Sequence, residues 1–256
     1  MKQQNWNAQE YAKHSKGQEI WAKELIAKLA LKGSENILDV GCGDGKVTAL
    51  LAGMTEGEVV GIDKSETMID FAQNSHANIE FSVMDARRLR FENRFDVVFS
   101  NASLHWIDDH EAVLQGIKTA LRSKGRIMLQ FGGYGTAKEM LEVMEQLINE
   151  SYMEYFKNFE FPYNFLHSNA YAALLESVGF EEIEATLIPK DMIHENIEAF
   201  KGWIRTTWFP YTDVLDAEMR EDFIAGFVEA YLGLRPLDDE GRVHVDMVRL
   251  EVRAVK

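Results

Sequence analysis

A single cysteine, Cys42, rules out an internal disulfide and implies a reducing compartment. Positive charge is scarce too: 27 Lys and Arg stand against 42 Asp and Glu, a formal net charge of -15. No basic stripe interrupts that balance, which argues against DNA, RNA or another polyanion as a partner. No run reaches the roughly 20 apolar residues needed to cross a bilayer. The polar opening Met1-Lys-Gln-Gln-Asn lacks the apolar core of a secretion signal. Repeats, low-complexity segments and metal-ligand clusters are missing as well. What is present is a 256-residue chain, 46% hydrophobic, with ample apolar content for a core. A soluble, cytoplasmic domain of generous size, with or without a lid, is expected.

The most telling stretch is Asn36-Ile-Leu-Asp-Val-Gly-Cys-Gly-Asp-Gly45. A short apolar run ends in three glycines at alternate positions, and a helix-like segment follows. Glycines at 41, 43 and 45 let the backbone turn sharply and approach a ligand that a Cβ would block. The helix behind the turn presents free N–H groups. The dinucleotide fingerprint would need its third glycine at position 46, which is Lys46. Asp39, two residues before the first glycine, would repel a pyrophosphate but suits a ligand carrying an ammonium and a sulfonium. Asp63 closes the next strand about 20 residues on, the offset at which a carboxylate takes ribose hydroxyls. A cationic nucleoside fits this pattern better than a phosphate.

Apolar positions at helical spacing predict an amphipathic helix over 18–31. Strand and helix then alternate: strands at 36–40, 58–62, 79–83, 95–100 and 126–131, and helices at 45–53, 66–74 and 109–121. Such alternation predicts a parallel sheet with helices on both faces. Beyond 131 the regularity loosens. A loop at 132–135 precedes a helix at 137–149, an aromatic stretch at 152–165 and a helix at 169–177. A strand is expected at 182–189, helical structure at 195–235, and a final antiparallel strand at 243–252 with Val248, Leu250 and Val252 on one face. The expected fold is a Rossmann-like α/β domain, a seven-stranded mostly parallel sheet with helices on both faces. Residues 36–131 form its ligand-binding core, and 132–167 with 195–235 a helical lid.

Four motifs stand in register: Leu38-Asp-Val-Gly-Cys-Gly-Asp-Gly45, Val60-Gly-Ile-Asp-Lys-Ser65, Met84-Asp85-Ala86 and Phe95-Asp-Val-Val-Phe-Ser-Asn101. In order and spacing they resemble the class I S-adenosylmethionine-dependent methyltransferases. Leu104-His105-Trp106 and the tryptophan-rich tail are similar to the branch that holds trans-aconitate methyltransferase and juvenile hormone acid methyltransferase. The resemblance implies S-adenosyl-L-methionine as cofactor and S-adenosyl-L-homocysteine as product. It implies that the glycine turn, Gly41, Cys42 and Gly43, packs on the methionine part beside Asp39. It further implies that Asp63, with Lys64 next to it, takes the ribose, that Asp85 and Ala86 meet the adenine amine, that Met68 lies under the ring, and that Asn101 lies near the ammonium. The resemblance also implies that residues 1–31 form a segment covering the cofactor, with Tyr11 and Gln18 over its carboxylate end. Cys42 reads equally as a small residue in a tight turn, Asp85 as a turn cap and Met68 as core.

Methyl transfer from a sulfonium asks for in-line placement and exclusion of water. A carboxylate acceptor needs no base, whereas a neutral hydroxyl or amine needs one, and His105 is the candidate. Trp106 and Tyr134 are expected at the acceptor pocket. Trp203-Ile-Arg-Thr-Thr-Trp208 offers Arg205 among aromatics, a guanidinium able to grip a carboxylate bidentately. The expected activity is methylation of a small-molecule acid at a carboxylate oxygen by a monomer or homodimer. Methylation of a neutral hydroxyl or nitrogen with His105 as base is the alternative. A cofactor-binding regulatory protein without catalysis is a third reading.

Overall fold

The computed structural model describes residues 16–256, which leaves Tyr11 outside the described residues. The first helix among the described residues, α1 (Lys16–Lys28), leads into β1 (Ile37–Val40). All four residues of β1 are buried, as a strand covered on both faces requires. Then follow α2 (Lys46–Ala52), β2 (Val59–Asp63), α3 (Glu66–Ser75), β3 (Glu80–Val83) and β4 (Phe95–Asn101). The chain continues through α4 (His110–Ala120), β5 (Leu121–Gly132), α5 (Lys138–Leu147) and α6 (Ser168–Val178). It ends with β6 (Glu181–His194), α7 (Ile197–Thr207), α8 (Phe209–Thr212), α9 (Ala217–Leu234) and β7 (Val243–Val255). Four helix starts are capped by side chains written in the sequence: Ser65 accepts from Met68 N–H, Asp109 from Ala112, Asn196 from Ala199 and Asp216 from Met219.

The sheet has seven strands in the order β3-β2-β1-β4-β5-β7-β6. β1 to β5 are parallel, and β7 runs antiparallel between β5 and β6. The order reverses between β1 and β4, so a crevice opens at the carboxyl ends of those two strands. On one face α4 and α6 pack through Val113, Leu114, Ile117, Tyr171 and Leu175. On the other, α1 and α2 pack through Leu25, Ile26, Leu29 and Leu51.

A separate aromatic cluster gathers α5, α7 and α9 with the near half of β7, through Met140, Phe200, Trp203, Phe223, Phe227 and Val245. Here the structure corrects two expectations. β6 and β7 run well past 189 and 252 because they pair with each other over most of their length. Along β7 the inward face also changes: Val243, Val245, Met247 and Arg249 are buried at one end, Leu250, Val252 and Ala254 at the other. Val248, expected inside with Leu250, is only partly buried.

Candidate active site

Each glycine of the turn after β1 adopts a positive φ: +75° at Gly41, +53° at Gly43 and +80° at Gly45. Their surroundings differ. A Cβ on Gly41 would lie 1.8 Å from Ser103 Oγ, and one on Gly45 would press on Phe81 and Ala72. A Cβ on Gly43 would meet nothing within 4 Å. Two glycines therefore serve close packing, while Gly43 keeps the space over the turn clear. Ser100 ties the end of β4 to this turn by donating its hydroxyl to Val40 O at 2.7 Å.

The Asp63 carboxylate closes β2 and accepts Gly43 N–H at 3.1 Å and Ser65 N–H at 2.8 Å. It is half-buried, and burial raises its pKa. Each oxygen still has a lone pair for a ligand. Asp39 lies beneath the turn, 2% exposed, and accepts the Thr48 hydroxyl at 2.7 Å. Burial pushes its carboxyl up to about 7. Cys42 is buried, and burial together with the neighbouring carboxylates of Asp39 and Asp63 raises its thiol, which stays protonated and inert.

Met68 and Ala86 are buried, and Asn101 is half-buried at the end of β4. Asp85 caps a short turn by accepting Arg87 N–H at 3.0 Å and binds the Arg87 guanidinium, with Nη2 at 2.7 Å. That guanidinium holds the carboxyl at about 2, so a ligand amine would have to share Asp85 with Arg87. Lys64 is largely exposed, its Nζ 4.0 Å from Asp85 Oδ2. Gln18 falls in α1, but its side chain is outside the described residues.

Beyond the ends of β4 and β5 lies a cavity of about 40 Å³, lined by Ala102, His105, Trp106 and Gly132 below and by Trp203 and Trp208 above. Tyr163, Phe165, Met192, Met247, Trp21 and Arg249 complete most of the wall. Ala102 has φ +57°, a left-handed conformation that is strained for alanine, at the point where the chain leaves β4. Trp106 stacks on Phe209 with ring centroids 5.5 Å apart. His105 is buried, and its Nδ1 accepts Gly132 N–H at 3.3 Å. Burial first, then the charge of Arg249, lowers its pKa well below the ordinary histidine value. The ring is therefore neutral, with its proton on Nε2.

The expected acceptor residues divide. Trp106, Trp203 and Trp208 line the cavity. Tyr134 does not: it is 56% exposed and stacks on His167. Arg205 does not either. It lies on the outer side of α7 and pairs with Glu221 of α9, because α9 brings a carboxylate to that face. The cation in the cavity wall is Arg249, 3% exposed, its guanidinium 5.3 Å from the centre of the Trp21 ring. A signal for it existed. Val243, Val245, Met247 and Arg249 alternate along one strand face, a cation at the end of an apolar row.

A methyltransferase domain family matches residues 37–125. An uncharacterized methyltransferase of Schizosaccharomyces pombe is 31% identical over 215 residues, 78% of this chain and 82% of that protein. The chain belongs to the class I S-adenosylmethionine-dependent methyltransferases. Trans-aconitate 2-methyltransferase of Escherichia coli O7:K1 is 28% identical over 253 residues, 98% of each chain. Among solved structures, phosphoethanolamine N-methyltransferase 2 of Haemonchus contortus, with S-adenosylhomocysteine and phosphomonomethylethanolamine, superposes with a TM-score of 0.63 at 18% identity. That match covers 97% of this chain and 57% of the other. As a member of that class, the methyltransferase uses S-adenosylmethionine. The clear space over Gly43 and the lone pairs left on Asp63 fit that cofactor. Among the described residues no cluster of His, Cys, Asp and Glu could hold a metal, and no helix is long and apolar enough to cross a membrane.

Proposed function

We propose that this methyltransferase methylates a small-molecule acid at a carboxylate oxygen. The observation that carries the reading is Arg249, a guanidinium buried in an aromatic cavity at the carboxyl ends of β4 and β5. Such a group binds a carboxylate in a charge-assisted, bidentate manner. When bound, the cofactor supplies a methyl carbon on a cationic sulfur; the carboxylate oxygen bonds to that carbon as the carbon–sulfur bond breaks and its electron pair stays on sulfur. The products are the methyl ester and S-adenosylhomocysteine, and no proton is released.

His105 supports the same reading over its alternative. Its Nδ1 lone pair already accepts from Gly132 N–H, so the ring offers the cavity an N–H donor and not a base. A donor suits a carboxylate; a neutral hydroxyl would need the lone pair. In this reading Asp63 takes the ribose hydroxyls, Gly43 leaves room for the methionine part, and Met68 and Asn101 flank the cofactor. Segments 132–167 and 195–235 act as a lid. A cavity of about 40 Å³ holds a few waters but no organic acid, so the aromatic layer has to part for the acceptor to enter.

The test compares a free acid with its amide for wild type and Arg249→Met. Wild type should turn over the acid alone. Arg249→Met should lose about 10–100-fold in kcat/KM for the acid, as expected for a hydrogen bond between charged groups. Its affinity for S-adenosylhomocysteine should stay within about twofold of wild type. Equal turnover of acid and amide by wild type overturns the reading. His105→Gln separates the two roles of the histidine: loss of a base costs about 10²–10⁴ in rate, loss of one positioning donor about tenfold or less.

A further inference from the structure

Trp203 and Trp208 are 1% and 2% exposed, and both line the cavity that holds Arg249. Their Nε1 atoms are fully buried and have no hydrogen-bond partner in the protein. That is unusual. A buried indole N–H is normally paired, and leaving one unpaired forfeits its hydration without recompense. Here two such groups sit on neighbouring rings whose centroids are 5.8 Å apart. A core that needed only apolar bulk would be served by phenylalanine at either position without that penalty. Both rings line the cavity, so an acceptor atom of a ligand that enters as the aromatic layer parts would satisfy donors that the protein leaves unpaired.

The rest of the wall narrows what that atom can be. Among the described residues lining the cavity, Arg249 is the only cation and there is no carboxylate. The hydroxyl of Thr136 is already engaged, accepting Val248 N–H at 3.0 Å. Apart from Thr207 and the neutral N–H donor of His105, the remaining surface is chiefly Trp106, Tyr163, Phe165, Met192 and Met247, which is apolar. A ligand's first carboxylate can pair with Arg249. A second one would lie against aromatic faces with no counter-charge, where desolvation of an anion is costly. An uncharged oxygen carries no such penalty and still satisfies an indole N–H.

We infer that Trp203 and Trp208 are specificity-determining residues whose indole N–H groups hold an uncharged acceptor atom of the substrate, a carbonyl, ether or hydroxyl oxygen, while Arg249 holds its single carboxylate. The inference rests on the carboxylate reading above and departs from the tricarboxylate in the name of the trans-aconitate 2-methyltransferases. It makes the cavity a two-point site, charge at one end and neutral hydrogen bonding at the other, on an apolar body.

The experiment uses the full chain and matched acids that differ in one group: 4-acetylbenzoate, 4-isopropylbenzoate and terephthalate, with 4-acetylbenzamide and trans-aconitate alongside. Binding is measured by calorimetry on enzyme saturated with S-adenosylhomocysteine, and turnover with S-adenosylmethionine. The same pairing of carbonyl, isopropyl and carboxylate is repeated on an aliphatic acid of equal length. In at least one series the carbonyl acid should exceed the isopropyl acid by about tenfold, and the diacid should be weakest. Trp203→Phe and Trp208→Phe should each shrink the carbonyl advantage to about threefold or less without changing the preference for acid over amide. Preference for terephthalate or trans-aconitate overturns the inference, as does an undiminished carbonyl advantage in both variants. If the amide matches the acid, the carboxylate reading itself fails. If no acid binds in either series, both fail. The wild-type comparison stands even where a tryptophan variant does not fold.

Discussion

Asp63 and Gly43 meet through one hydrogen bond, so they have to be tested as separate contributions to the same site. Asp63→Ala removes a ligand acceptor and also releases the N–H groups of Gly43 and Ser65. Gly43→Ala leaves the carboxylate in place but sets a methyl group into the clear space over the turn, at a φ of +53°. Both should weaken S-adenosylhomocysteine binding by about tenfold or more in calorimetry, since each hydrogen bond to a charged acceptor is worth roughly 1.5–3 kcal/mol. Unchanged affinity in Asp63→Ala would remove that residue from the ribose site. These residues were legible because glycine spacing and acids at strand ends are local signals. Arg249 was less so. Arg205 sits in an aromatic run and looks the better anion receptor, yet pairing with Glu221 depends on α9 lying across α7, which no local pattern announces. The odd-numbered row from Val243 to Arg249 carries the cation that lines the cavity, whereas Val248, Leu250 and Val252 suggest the opposite face.

Among the elements, the five parallel strands follow from apolar runs bounded by turn residues, and caps such as Ser65 and Asp109 fix where helices start. The region after β5 reads less well. Residues 195–235 carry enough apolar residues to be helical throughout, and the chain divides them into α7, α8 and α9 around Pro210 and the Asp216 cap. The length of the antiparallel β6–β7 pair is set by partner pairing, which no single strand records. The Arg205–Glu221 pair joins α7 to α9. Both side chains are at least a third exposed or close to it, 30% and 54%, so the pair contributes less than about 1 kcal/mol. Arg205→Met should therefore leave acceptor KM and cofactor affinity within about twofold of wild type, in contrast to Arg249→Met. A tenfold rise in acceptor KM for Arg205→Met would return Arg205 to the acceptor site.

For the whole molecule, acid stability sets opposing groups against each other. Burial pushes the His110 ring down to about 4 and lowers His105 further, so both favour the folded state above pH 6.5 and withdraw that support as pH falls. Asp39, raised by burial to about 7, and Asp63, also raised by burial, act in the other direction: the folded state takes up their protons first and gains as pH falls. These contributions offset one another between about pH 6.5 and 4. Below that range the groups with depressed values decide, and Glu35 is the one most firmly built in. Its carboxylate accepts N–H groups from Lys32, Gly33 and Ser34 at 2.9–3.1 Å and faces Arg126 at 3.3 Å, fixing the turn between α1 and β1. Burial by itself would raise its pKa, yet those donors bring it from 4.5 to about 2. That difference is worth about 3 kcal/mol, fully present above pH 4.5 and lost as pH falls towards 2. Glu35→Gln should thus destabilise the protein by about that amount at pH 7 in urea titrations. The gap to wild type should close as the titrations are repeated at lower pH, because protonated Glu35 and glutamine are both neutral. A gap of the same size at pH 7 and pH 3 would mean that Glu35 acts through shape and hydrogen bonding alone, with its charge contributing nothing.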